Sequence, residues 1–96
     1  MIINLLQEAE EELIKAASYY EQQQSALGIE FIKEVRRTCN LISASPKAAA
    51  KVRKEIRRRL VRRFPFSVLY QEGEDSIQII AIAHQRRKPR YWAKRT

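Results

Sequence analysis

Apolar residues recur along the first half of the chain at the spacing typical of α-helices. An apolar residue stands at every third or fourth position from Ala9 to Tyr20, which predicts a helix from about Glu8 to Gln24. The same spacing from Phe31 to Ile42 predicts a second helix from about Ile29 to Ala44, ended by the Ser-Pro pair that follows. We expect Gly28 to relax the backbone between them, so that the two helices form an antiparallel hairpin.

The remaining apolar runs have the length and composition of β-strands. Ile2 to Leu6 predicts a brief strand before the first helix. Three further strands are predicted over about Ile56–Phe64, Phe66–Glu72 and Ser76–His84. The segment from Lys47 to Glu55 is small and basic, and it predicts an irregular crossing.

The run IQIIAIA, from Ile77 to Ala83, is apolar on both alternating faces, which predicts a central strand covered on both sides. The helix hairpin would cover one face and leave the other open or partly filled. The predicted fold class is therefore α+β: a short N-terminal strand, an antiparallel helix hairpin packed on one face of a three- to four-stranded, mainly antiparallel sheet, and a basic C-terminal tail. A chain of 96 residues predicts one domain over residues 1–96.

Charge is divided unevenly between the two halves of the chain, whose total is +8. Residues 1–45 carry seven acids and four bases, a net charge of −3, and residues 46–96 carry fifteen bases and four acids, a net charge of +11. Such a positive surface attracts polyanions or acidic protein segments. A single cysteine and the absence of a long apolar run predict a cytoplasmic protein with no disulfide and no membrane contact.

Two basic clusters are candidate binding surfaces. The first has eight bases between Lys51 and Arg63, and strand alternation puts Arg57, Arg59 and Arg63 on one face, with Arg58 and Arg62 on the other beside Phe64. The alternative for this cluster is a solvated edge strand, on which charges prevent aggregation. The tail is the second cluster, with six bases and no acid from Gln85 to Thr96.

Arginines of the tail are interleaved with His, Tyr and Trp rings, which suits contacts to phosphate, carboxylate or bases. The candidate binding residues here are Arg86, Arg87, Arg90 and Trp92. The alternative is that Tyr91 and Trp92 only fix the tail onto the sheet. His84 is the only histidine, and it could be a structural residue or a general base. One His and one Cys cannot supply a metal site, and Cys39 lies on the apolar helix stripe, so we expect no metal and no cofactor.

The order of these elements, with RRFPFSVLYQ followed by IIAIAHQRRKPRYW, resembles the RelE/ParE superfamily of toxins from type II toxin-antitoxin modules. The most specific pieces are the EAEEEL opening of the first helix, the junction from Arg63 to Phe66, and the string from His84 to Trp92. The resemblance implies a toxin that arrests growth and is silenced, in a hetero-oligomer, by a cognate antitoxin with an acidic-amphipathic segment. The ParE-like branch, which acts on DNA gyrase and traps cleaved DNA, is slightly favoured.

The resemblance leaves two alternatives open. RelE-like members cut mRNA on the ribosome without metal, and in that case His84 or Tyr91 would take the 2′-hydroxyl proton while Arg63, Arg86 or Arg87 stabilises the phosphate. Ser67 stands near the strand position at which those relatives have an arginine, and no general-base carboxylate is found. The third possibility is a non-toxic module that binds nucleic acid or only the antitoxin.

Overall fold

The computed structural model describes residues 1–96, with two helices packed against one five-stranded sheet. The helices are α1 (Gln7–Gln23) and α2 (Leu27–Ala44), and the strands are β1 (Ile2–Leu5), β2 (Lys51–Arg53), β3 (Ile56–Leu60), β4 (Phe66–Glu72) and β5 (Ser76–His84). The strand order is β1-β5-β4-β3-β2, antiparallel except for the β1–β5 pair. The predicted α+β class and helix hairpin are confirmed. Neither helix is long and apolar enough to cross a membrane.

Strand β5 lies inside the sheet, between β1 and β4, and carries a β-bulge. Tyr70 of β4 pairs with Ile79 and Leu69 pairs with Ala81, so Ile80 has no partner on β4. Because of this extra residue, Ile80 and Ala81 both belong to the core on one face, whereas Ile79 belongs to the core on the other. The prediction of a strand covered on both sides is confirmed, since five successive residues from Ile79 are buried.

The two faces of the sheet are covered by different parts of the chain. The helix hairpin covers one face, where fourteen buried residues, including Phe31, Val35 and Ile42 of α2, form the larger core. The C-terminal tail covers part of the other face. Its Trp92 is 6% exposed and packs into a smaller core formed with Ile56, Leu69, Ile80, Ala81 and Ala83. The face expected to be open or partly filled is thus partly filled by the tail.

The first basic cluster folds differently from its prediction. β3 ends at Leu60, four residues before the expected Phe64. Arg63 has a φ of 73°, and the peptide N–H of Val61 donates to the carbonyl of Phe66, so the chain turns instead of continuing as a strand. Phe64 consequently packs into the helix-side core and not on the opposite face.

The segment before β3 also contains a strand that the sequence did not predict. Lys51–Arg53 pairs antiparallel with β3, and Arg58 N–H donates to the carbonyl of Ala50 at 3.2 Å. With β2 included, the sheet has five strands where three or four were expected. This edge strand has three residues, two of them basic, and none is fully buried. Such a segment has almost no hydrophobic pattern from which a strand could be predicted.

Gly28 lies inside α2 and does not relax the chain between the helices. The turn is made by Ala26, whose φ is 71°. The carboxylate of Glu21 accepts the N–H groups of Ala26 and Gly28 at 2.9 and 3.0 Å, and this interaction caps the start of α2. A Cβ added at Gly28 would lie 2.5 Å from the carbonyl oxygen of Ala17, so this glycine permits the close contact of the two helices.

We therefore expect Gly28→Ala to lower the free energy of unfolding by about 1–3 kcal/mol, because overpacking outweighs the gain in helix propensity. Urea unfolding followed by circular dichroism measures the change. Ala26→Gly is the matched control, and it should be neutral or stabilising because glycine adopts a positive φ without strain. If Gly28→Ala were neutral, the helix contact at Ala17 would not need a glycine.

Cys39 is buried in the helix-side core, as its position on the apolar stripe of α2 predicted. Burial raises the pKa of its thiol to about 11. The thiol is therefore protonated at neutral pH and is not a nucleophile.

Candidate functional site

His84, Arg87 and Tyr91, the three residues that the sequence offered as a catalytic set, meet on one ridge of the surface. β5 ends at His84, a turn follows, and the Arg87 N–H donates to the His84 carbonyl at 3.0 Å. The ridge separates two pockets, since each of the three residues lines both. We call them the tail pocket, of about 520 Å³, and the helix pocket, of about 360 Å³.

The tail pocket lies on the sheet face opposite the helices and is strongly basic. Arg58 of β3 and the tail residues Arg87, Lys88 and Arg90 line it together with His84 and Gln85, and no acidic residue does. Its apolar floor includes Leu69, Ala83 and the buried ring of Trp92. A concave surface lined by cationic side chains and rings is suited to anionic groups, because nearby positive charges focus the potential.

The helix pocket lies between α1 and the end of β5, and its character differs. Tyr19, Tyr20, Phe66 and Ile82 make most of it apolar, and Lys15 and Glu12 contribute charge. A pocket of this composition can hold an apolar side chain of a partner segment.

The imidazole of His84 is already used by the fold. Its Nδ1 accepts the peptide N–H of Arg86 at 2.9 Å, and its ring packs edge-on against Phe66 with centroids 5.0 Å apart. A neutral imidazole that accepts at Nδ1 carries its proton at Nε2. Nε2 is then a donor, which suits binding an anion better than taking a proton.

The phenol of Tyr91 is also engaged. It donates to Oε2 of Glu12 at 2.6 Å, and burial together with this carboxylate raises the pKa of Tyr91 above its ordinary value. A phenol held protonated in this way is a poor general base at neutral pH. Its ring lies beneath the guanidinium of Arg87, whose carbon is 3.9 Å from the ring centroid, as in a cation–π pair.

The arginines predicted from the first basic cluster do not gather at the ridge. Arg57 donates to the carbonyls of Ala49 and Lys47 at 2.6 and 3.2 Å, so it fixes the loop before β2. Arg63 faces α2, where it pairs with Glu30 at 3.4 Å. Arg59 belongs to neither pocket lining. Their roles in partner binding stay predictions.

Among the tail residues, Arg86 and Arg90 are exposed, and Arg90 lines the tail pocket while Arg86 does not. Trp92 lies buried beneath the tail, the arrangement expected if it anchors this segment, and its direct contact with a partner stays a prediction. Ser67 is buried in the lining of the tail pocket. Arg58 enters the same pocket from the neighbouring strand, and the sequence did not single it out as a candidate site residue.

Sequence reasoning also missed Glu12 and Arg95, which join the tail to α1. Arg95 Nη1 donates to Oε1 of Glu12 at 2.9 Å, and its Nη2 donates to Oε2 at 3.0 Å. Glu12 looks like one of several acids near the start of a helix, where a negative charge complements the dipole. No local signal distinguishes it, since its partners lie 70 to 83 residues further along the chain.

Comparison with known proteins agrees with the resemblance seen in the sequence. A family model described as "ParE toxin of type II toxin-antitoxin system, parDE" matches residues 3–89. A solved structure described as "Chromosomal ParDE TA system from P. aeruginosa" has a similar fold, with a TM-score of 0.62 and 18% sequence identity over 88% of this chain and 95% of that chain. A search of the curated proteins found no match. The family match includes His84 and Arg87 and ends before Tyr91.

Proposed function

Because the chain belongs to the family of ParE toxins of type II toxin-antitoxin systems, we propose that it arrests growth by poisoning DNA gyrase in the cytoplasm and that a cognate antitoxin neutralises it. The observation that carries the proposal is the tail pocket beside the ridge. Four cationic side chains and no acid line this pocket, whereas Nδ1 of His84 and the hydroxyl of Tyr91 are bonded within the fold. Such a surface binds anions and lacks a free general base.

The antitoxin part of the proposal rests on charge and on exposed apolar side chains. Ile14 and Tyr19 of α1 are 60% and 58% exposed, and Ile29 and Leu41 of α2 are also exposed. An amphipathic segment that carries acids can cover these side chains and contact the basic half of the chain at once. An antitoxin segment that is partly disordered before it binds would fold on this surface, so complex formation should bury additional area.

The test of the gyrase proposal is a cleavage assay with purified components. Wild-type chain is incubated with gyrase, supercoiled plasmid and ATP, and the expected result is linear DNA with gyrase covalently attached. The same mixture without gyrase should leave the plasmid intact. Adding the antitoxin in equimolar amount should prevent the cleavage, which checks neutralisation in the same experiment.

Induction of the chain without its antitoxin provides the complementary test in cells. DNA synthesis, pulse-labelled protein synthesis and the DNA-damage response are followed in parallel. Early DNA damage and filamentation support gyrase poisoning, whereas intact gyrase function with an early fall in translation contradicts it. Growth without arrest would contradict toxicity altogether and favour a module that only binds nucleic acid or its antitoxin.

A second candidate function is RelE-like cleavage of mRNA on the ribosome. Arg58, Arg87 and Tyr91 line one pocket, and cations beside a flat ring can hold a phosphodiester and an unstacked base. The engaged Nδ1 of His84 and the raised pKa of Tyr91 argue against this function, because neither group is free to take the 2′-hydroxyl proton. Cleaved message after induction would favour it.

A further inference from the structure

Glu12 is the centre of the most highly connected polar cluster outside the backbone. Its Oε1 accepts the Ile82 N–H at 3.0 Å and an Arg95 N–H at 2.9 Å. Its Oε2 accepts the Tyr91 hydroxyl at 2.6 Å and a second Arg95 N–H at 3.0 Å. The side chains of Glu12 and Arg95 are only 17% and 16% exposed. Both carboxylate oxygens are fully used, and the hydrogen bond with Glu12 raises the pKa of Arg95 above its ordinary value.

The Glu12–Arg95 ion pair bonds backbone groups of β5 that a neighbouring strand would otherwise pair. β1 pairs with β5 only as far as Ile79, after which the chain leaves the sheet to begin α1. The edge of β5 beyond that point would leave the N–H of Ile82 and the carbonyl of Ile80 without partners. Glu12 accepts the first, and Arg95 Nη1 donates to the second at 3.1 Å. These backbone groups beside the bulge at Ile80 are therefore paired although no strand lies next to them. The bond from Arg95 to Ile80 also attaches the tail to β5.

The same pair sets the position of the ridge. Tyr91 is held by its hydroxyl to Glu12, and its ring contacts two guanidinium groups, that of Arg95 at 5.0 Å and that of Arg87 at 3.9 Å from the centroid. Arg87 takes part in none of the ion pairs of the structure. The ring of Tyr91 is thus the main contact that orients the Arg87 guanidinium between the two pockets.

We propose that Glu12 and Arg95 are positioning residues for Arg87: their ion pair fixes Tyr91, and Tyr91 presents the Arg87 guanidinium to the target. The inference rests on the proposed function only for the target-facing role of Arg87. Neither Glu12 nor Arg95 touches the target in this scheme, because both are largely buried and their polar groups are bonded to each other and to the sheet.

The stacking of Arg87 on the Tyr91 ring can be measured by NMR of the Arg87 side chain. A group stacked on an aromatic ring experiences a ring-current shift, so the side-chain resonances of Arg87 should lie upfield in the NMR spectrum of the isotopically labelled chain. In Glu12→Gln these resonances should move towards free-arginine values. The inducer concentration that halves growth should rise at least about tenfold, the equivalent of one lost charge-assisted hydrogen bond.

Two further variants keep the test independent of simple unfolding. Arg95→Lys retains the charge, but an ammonium group lacks the planar fork that bonds both oxygens of Glu12 and the Ile80 carbonyl. The Arg87 resonances should therefore move towards free-arginine values in this variant as well. Tyr91→Phe keeps the ring but loses the bond to Glu12, and it should give an intermediate shift. Ile42→Val, a core change in α2 away from the tail, is the stability control. It should lower the melting temperature about as much as Glu12→Gln does, yet leave the Arg87 resonances and the inducer concentration that halves growth unchanged.

The two proposals fail in different ways. If the Arg87 resonances remain upfield in folded Glu12→Gln and Arg95→Lys, the positioning role is overturned, whatever the toxicity. If they move in both variants and toxicity falls, the positioning role is supported. If they move although the wild-type chain never arrests growth, the coupling from Glu12 to Arg87 stands and the proposed function fails.

Discussion

Replacing Arg87 with alanine should strongly weaken growth arrest without unfolding the protein. The guanidinium is exposed, lines both pockets and contacts the Tyr91 ring, so its removal takes away a fork of donors and leaves no buried group unpaired. Loss of charge-assisted hydrogen bonds to an anionic partner weakens binding by about 1.5–3 kcal/mol, or roughly 10–150-fold. We expect the inducer concentration that halves growth to rise by more than about tenfold.

The control for this prediction is Lys94→Ala, which removes one positive charge from the same tail. Lys94 is exposed and lines neither pocket, so arrest should persist. A drop in toxicity with both variants would indicate that only the total charge matters. Full arrest by the double variant Arg87→Ala, Tyr91→Ala, at equal soluble level, would contradict the assignment of both residues to the target-facing surface.

Much of the fold follows from local signals in the sequence. Both ends of β4 and the start of β5 agree with prediction, because Pro65 precedes β4 and Gly73 stands in the turn between the two strands. The end of α2 at Ala44 agrees because a proline at the second position after it disfavours helix. In each case the residue that determines the boundary lies within a few positions of it.

The features that sequence reasoning missed depend on contacts between distant residues. Gly28 suggests a flexible link, yet it is needed because Ala17 on the other helix leaves no room for a Cβ. Glu12 suggests a solvated helix end, yet it replaces a strand beside Ile82. The apolar run from Ile79 to Ala83 predicts that β5 is buried but does not predict its bulge. When both faces of a strand are covered, a regular strand and a bulged one have the same apolar composition.

The candidate site was predictable in part for the same reason. His84, Arg87 and Tyr91 are close in sequence at the end of one strand, so the turn that follows brings them together. Arg58 joins the tail pocket from another strand through the register of β3 with β4, in which it pairs with Leu69. That register cannot be deduced from the composition of a strand that is mostly arginine.

The largest expected loss of stability follows from Phe31→Ala in α2. Phe31 is fully buried, and its ring centroid is 5.2 Å from Tyr20, 5.1 Å from Phe64 and 4.9 Å from Phe66. Truncation of a buried phenylalanine to alanine costs about 3–5 kcal/mol, because it loses the transfer free energy and leaves a cavity. Small proteins have about 5–15 kcal/mol in total, so the variant should be close to unfolding at 37 °C.

Urea unfolding of Phe31→Ala beside Ile32→Ala tests this expectation, since Ile32 is the neighbouring apolar residue of α2 and is 36% exposed. A loss below about 1 kcal/mol for Phe31→Ala would mean that the rings repack to fill the cavity. The expected loss also has a functional consequence. Phe31 supports Phe64 and Phe66, and the Pro65 carbonyl between them accepts the N–H of Gln85, next to His84. Toxicity should therefore fall with the folded fraction, whereas in Arg87→Ala it falls while the chain stays folded.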